Sequence, residues 1–228
     1  MHNGFAICLA WPKTRCKQAG SWYDPLMRLF KINKLGYYKV GHAAVVLINA
    51  KTQKCFYFDF GRYHSPHGKG RVRSEKTDHD LSIKTIAAID PEKQMINNID
   101  DILLEIAGNK SCHGHGELFA SVSRIDYYKS FSFARLMQEK EFIIYGPFVN
   151  NGTNCSKFVN QVILKGNPSL LKRILLKYPA MLSPTPFWNV LVTGNILKII
   201  RIKSMSEKII CKDSLKHEYA KSCITSRA

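Results

Sequence analysis

The chain has 228 residues, 45% of them hydrophobic, with 12 Phe, 10 Tyr and 3 Trp, which is enough apolar mass for one core and excludes global disorder. Its 34 Lys and Arg against 17 Asp and Glu give a formal charge of +17; this favours anionic surfaces, but no nucleic-acid recognition motif accompanies it, so no specific nucleic-acid partner is expected. The seven cysteines (Cys8, Cys16, Cys55, Cys112, Cys155, Cys211 and Cys223) are odd in number and irregularly spaced, which argues against a secreted disulfide framework and for a reducing compartment.

Phe5–Trp11 is short and apolar and predicts a buried strand. It has no basic stretch before it and Pro12 after it, so it does not resemble a signal peptide and is too short to span a bilayer; cytoplasmic residence is the expectation. Pro25–Ile32, with Asp24 before the proline, predicts a helix. Tyr38–Ile48 and Lys54–Phe60 are rich in β-branched and aromatic residues around a turn-like Asn49–Gln53, and together predict a β-hairpin. Gly61–Thr77 predicts a long charged loop. Leu81–Ile89 predicts a third strand and Met95–Ala107 an amphipathic helix ended by Gly108-Asn109. Gly116–Ile125 predicts a strand, Tyr127–Lys140 a helix and Phe142–Tyr145 a short strand. After the loop Asn150–Thr153, a helix opens at Asn154. Pro168–Tyr178 predicts a basic amphipathic helix, and Asn189–Thr193 a short strand or extended arm. The expected division is a catalytic domain over residues 1–197 and a basic appendage or tail over 198–228.

Two residues stand out chemically. Cys155 lies at the loop-to-helix junction, where the positive end of the helix dipole is expected to lower a thiol's pKa and backbone N–H groups can serve an oxyanion. A thiol nucleophile works with an imidazole that takes and returns its proton. His42 is the candidate, in an apolar strand between Gly41 and Ala43-Ala44. Asp59, on the partner strand of the hairpin, is the third group expected to orient that imidazole.

The order of a strand histidine, a partner strand, and Asn-Cys-x-x-Phe at a helix start resembles the circularly permuted papain-like superfamily. That group includes lecithin:retinol acyltransferase-like proteins, PPPDE-type thiol peptidases and permuted relatives of NlpC-type peptidases. Gly41-His42-Ala43-Ala44-Val45 looks like the histidine strand, and Asn154-Cys155-Ser156-Lys157-Phe158-Val159 like the Asn-Cys-Glu-His-Phe-Val motif. Lys157 departs from the acyltransferase branch, which carries a histidine-like residue there. The string YGPFVNNGTNCSKFV, with TPFWNV downstream, is also similar to a bacterial family of like length. The resemblance implies an α+β fold with an antiparallel sheet packed against helices. It also implies acyl chemistry through a thioester, by a hydrolase or an acyltransferase acting on a peptide, amide or lipid-acyl substrate.

Asn154, Tyr145, Arg62, His64 and His113 are expected to line the substrate site, with the Arg62 and His64 loop at the mouth of the cleft. Ser111–Gly116 (SCHGHG) holds one thiol and two imidazoles but has no second ligand pair, so a cleft-lining turn is expected rather than a metal site; no cofactor is expected. Two other readings compete: a basic module that binds nucleic acid or an anionic membrane, and a catalytically inactive papain-like interaction domain.

Overall fold

Gly4–Trp11 (β1) is buried at every position, which only an interior strand covered on both faces achieves. In the computed structural model, which describes residues 2–17, 33–34, 37–38, 40–146, 148–177, 184–200 and 208–211, β1 lies between His42–Asn49 (β5) and Leu118–Ile125 (β10). Of the short strands between them, Cys16–Lys17 (β2) pairs with Tyr37–Tyr38 (β4), which also pairs with Asn33–Lys34 (β3).

The other members of the central sheet are Cys55–Gly61 (β6), Lys69–Arg73 (β7), Ile143–Ile144 (β11), Leu197–Ile200 (β12) and Lys208–Cys211 (β13). The sheet is antiparallel, in the order β11-β7-β6-β5-β1-β10-β12-β13. Helices cover one face: Tyr127–Glu139 (α2), Cys155–Lys165 (α3), Leu170–Lys177 (α4) and Pro186–Thr193 (α5). Ala43, Val45, Phe58 and Phe60 meet Phe158, Val159, Val162 and Val190 there. The other face packs Ile7, Leu9, Val46 and Tyr57 against Ile102, Leu103 and Ile106 of Ile99–Gly108 (α1). The protein is therefore α+β, an antiparallel sheet packed against helices. Among the described residues no helix is long and apolar enough to cross a membrane.

Four expectations are corrected. The loop expected over 61–77 contains β7, which pairs Asp59 with Arg73 and Phe60 with Val72. Its inward charge has a buried partner, so a basic run is part of the interior. The strand expected over 81–89 is instead a 3-10 turn, His79–Leu81, followed by a segment clamped by α1 side chains. Glu105 accepts from the backbone N–H of Lys84 at 2.7 Å and Thr85 at 2.9 Å, and Asn98 accepts from Ala88 at 2.7 Å. Those donors are used by side chains, so only Ile89–Asp90 (β8) joins a ladder, with Met95–Ile96 (β9). For the same reason the expected helix starts at Ile99, four residues late. Asn189–Thr193 is helical, not extended: Thr185 caps α5 by accepting from the N–H of Trp188 at 3.1 Å, and Pro186 occupies its first turn. The helix expected at Pro25–Ile32 lies outside the described residues. The boundary expected at residue 197 falls at the start of β12, which pairs with β10.

Candidate functional site

Asn154 ends the loop before α3 in extended backbone, and its side chain accepts from the N–H of Lys157 at 2.8 Å. This cap fixes where the helix begins, and its first residue is Cys155. The helix is then held by the sheet and by Asn189 of α5. Phe158, Val159, Val162 and Ile163 are fully buried against the sheet. Asn189 donates to the carbonyl of Ser156 at 2.9 Å, and Asn160 donates to Asn189 at 3.1 Å. Cys155 is left 6% exposed, and the backbone N–H groups of Ala43 and Ser156 lie near enough to its sulfur to favour the thiolate.

Asp59 is fully buried and saturated. Arg73 donates Nε to Oδ1 at 2.9 Å and a terminal nitrogen to Oδ2 at 2.5 Å. Tyr57 donates its hydroxyl to Oδ2 at 3.1 Å, and His42 Nε2 lies 3.2 Å from the same oxygen. An ionised carboxylate only accepts, so His42 carries its proton on Nε2 and presents Nδ1 as the basic nitrogen. Burial alone would raise the Asp59 pKa; the hydrogen bond from His42 and the charge of Arg73 more than offset it, and the carboxyl sits below its ordinary value. The ring of His42 stacks on Trp11 at 5.7 Å and meets the edge of Tyr63 at 6.4 Å.

Alternation along β5 sends Ala43 to the helical face with Cys155, and His42 to the face that carries Trp11, Tyr57 and Asp59. Both lie at the same end of the sheet: His42 opens β5, and the β5–β6 ladder runs only as far as Ala44 and Asp59, so Ala43, beside the sulfur, has no partner in β6. Gly41 makes this end possible. Its φ of +79° is a left-handed conformation, and a Cβ there would stand 3.0 Å from the Trp11 carbonyl. Asp59 and Tyr63, both beside His42, also act electrostatically on Cys155.

The expected lowering of the thiol pKa is overturned. Burial pushes the Cys155 thiol up to about 12, and the neighbouring Cys16 adds to the rise; the two backbone N–H groups only partly oppose it. Desolvation of the thiolate outweighs the helix terminus. At rest Cys155 is therefore a neutral thiol.

The outer wall is aromatic and cationic. Tyr63 stacks on His113 at 4.7 Å and lies 3.7 Å from the Arg73 guanidinium. Beyond it opens a cleft of about 400 Å³, lined by Arg62, His64, His113, Asp78 and Asp80 among others. The structure thus brings Arg62, His64 and His113 together on the outer side of Tyr63. Tyr145 lies on the inner side, stacked on Phe60 at 5.8 Å and electrostatically coupled to Cys155 and Cys16, with Arg62 at 5.1 Å from its ring. The SCHGHG turn serves as wall: His113 covers Tyr63, and Gly114 presses on Trp11 so closely that a Cβ would fall 2.2 Å from the indole. Among the described residues no three His, Cys, Asp or Glu side chains gather so as to hold a metal ion.

Sequence reasoning missed Arg73, Tyr57, Tyr63, Trp11 and Cys16. One signal was available. An aspartate inside the apolar run Lys54–Phe60 needs a buried counter-charge, and Arg71-Val72-Arg73 follows closely enough to supply it.

The crystal structure of the Type VI secretion system effector TseH superposes with a TM-score of 0.58 at 17% identity, covering 91% of this chain and 98% of that one; at that identity the likeness is one of fold. No curated protein matches the chain. The profile of the family described as "Type VI secretion system effector TseH-like" matches residues 6–170, well over half of the sequence, and the chain belongs to that family.

Proposed function

We propose that this protein is a cysteine-dependent hydrolase or acyltransferase of circularly permuted papain-like fold, acting on an amide, ester or thioester bond. The carrying observation is the placement of Cys155 at the start of α3, with its sulfur near the backbone of Ala43, the residue after His42, whose Nε2 rests on Asp59.

In this reading the thiol is neutral at rest, so His42 acts as a true general base. Nδ1 takes the proton as sulfur attacks the substrate carbonyl carbon, and the carbonyl π pair moves to oxygen. Backbone N–H groups at the start of α3 stabilise that oxyanion. The intermediate collapses, the imidazolium gives its proton to the departing amine or alkoxide, and a thioester on Cys155 remains. Water, an amine or an alcohol, deprotonated by the same imidazole, then displaces the sulfur. Asp59 stabilises the imidazolium, and Arg73 keeps Asp59 ionised. Substrate approaches from the cleft beyond Tyr63, where Arg62, His64 and His113 contact it. A peptide, amide or lipid-acyl group fits this chemistry. Family membership supports a protein made in the cytoplasm and exported by the secretion system.

The test is turnover of a panel of chromogenic esters, peptides and amides by the wild-type protein and by Cys155→Ala, His42→Ala and Asp59→Asn. The reading expects hydrolysis or transfer that vanishes with Cys155 and falls about 10²–10⁴-fold with His42. Turnover that survives Cys155→Ala would end it.

A further inference from the structure

Away from the thiol, α4 inverts the usual arrangement of a surface helix. Leu170, Leu171 and Ile174 are 63%, 67% and 57% exposed, Leu175 is partly exposed, and Leu176 is the one fully buried side chain of the helix. Monomeric soluble proteins rarely leave such a contiguous aliphatic patch in water without a partner. Lys172, Arg173 and Lys177 lie among these residues, and the helix has no acid. Lys165 precedes it.

A groove of about 640 Å³ meets the same helix at Lys172, within the size range of small-molecule sites. Phe5, Ile96, Ile99 and Val122 supply its apolar floor, Lys172 and Arg124 its cationic rim, and no acidic residue lines it. Lys172 is half-buried at that rim. Its ammonium donates to the Ser123 hydroxyl at 3.1 Å, no carboxylate pairs with it among the described residues, and burial lowers its pKa. A partly desolvated cation without a counter-ion is costly unless an anion arrives from outside.

We propose that α4 and this groove form a docking site for an anionic phospholipid bilayer. Leu170, Leu171 and Ile174 enter the interfacial region, Lys172 and Arg124 meet a lipid phosphate, and one acyl chain lies along the groove. Apolar contact and charge act together, as in interfacial amphipathic helices. A protein partner would be expected to answer the acid-free rim with carboxylates; a phosphate on an aliphatic tail answers the rim and the floor at once. The site shares no residue with the thiol chemistry and does not depend on it.

The experiment is flotation of the full chain with vesicles of phosphatidylcholine alone or of equimolar phosphatidylcholine and phosphatidylglycerol. The wild type is expected to float with the anionic vesicles and not with the neutral ones. The double variant Leu171→Ser/Ile174→Ser, altered only at exposed positions, loses at least tenfold in partitioning, and Lys172→Gln loses severalfold. Leu136→Ser, at an exposed leucine elsewhere (55%), partitions as wild type, and a thermal melt confirms that each variant is folded. Absence of flotation, or flotation by the double variant equal to that of the wild type, overturns the proposal; the latter assigns binding to diffuse positive charge.

Discussion

Arg73 grips both oxygens of the Asp59 carboxylate, at 2.9 and 2.5 Å, while His42 rests on one of them at 3.2 Å. The guanidinium thus stands behind the imidazole, separated from it by one buried carboxylate. All three residues are at most 3% exposed.

Removing one partner of such a pair leaves an uncompensated charge in the interior. Arg73→Met is expected to cost about 3–5 kcal/mol in denaturant unfolding. The pH dependence follows from the Asp59 shift. Its carboxyl is held below the ordinary value of 3.8, so its pairing stabilises the fold at every pH above about 4 and is lost as the pH falls through the lowered value. Acid unfolding of Arg73→Met therefore begins at a higher pH than that of the wild type. Equal acid midpoints would contradict this.

The buried thiol makes a kinetic prediction. With Cys155 pushed up to about 12, alkylation by iodoacetamide at this residue is slow at pH 7 and climbs about tenfold per pH unit, without a plateau, up to pH 10. Peptide mapping separates it from Cys8, Cys55 and Cys112, which are buried too. A plateau near neutrality would mean a preformed thiolate.

The Asn154 cap positions Cys155 as well as the helix. Asn154→Ala is expected to cost about 1 kcal/mol, or about 2–4 °C in Tm for a chain of this size, and to lower activity. Asn154→Asp keeps the acceptor and the Tm. Calorimetry on the two variants distinguishes them.

Gly114 is a steric test of the wall. An added Cβ drives into the Trp11 indole at 2.2 Å, and that indole stacks on His42. Gly114→Ala is expected to change the tryptophan near-ultraviolet circular dichroism and to reduce kcat/KM. Gly108→Ala, where a Cβ meets nothing within 4 Å, leaves both unchanged.

The legible parts of this fold were those where one periodicity had no competitor. The hairpin of β5 and β6 and the strands β1 and β10 are apolar, β-branched runs bounded by turn residues, and α2 and α3 carry helical spacing behind a good cap. The contact between His42 and Asp59 depends on the hairpin register: the pairing of Ala44 with Asp59 puts both side chains on one face, and a slip of one residue would part them. Other elements depend on partners distant in sequence. β7 holds only Val72 as an apolar inward residue, and its meaning comes from Asp59, fourteen positions earlier. The segment after Leu81 has strand-like composition, but Glu105 and Asn98 consume its backbone donors. Val190, Val192 and Thr193 favour extended structure locally, and the Thr185-Pro186 start overrides them. The thiol pKa was misjudged because a helix terminus is visible in sequence and depth of burial is not.

Cys155 and His42 are expected to act as one unit across the open end of the β5–β6 ladder. Incubation with p-nitrophenyl acetate followed by intact-mass and peptide-mass analysis tests it directly. One acetyl group is expected on Cys155 in the wild-type protein and none there in His42→Ala. Acetylation of Cys155 to the same extent without His42, or acetyl groups confined to surface lysines, would contradict it.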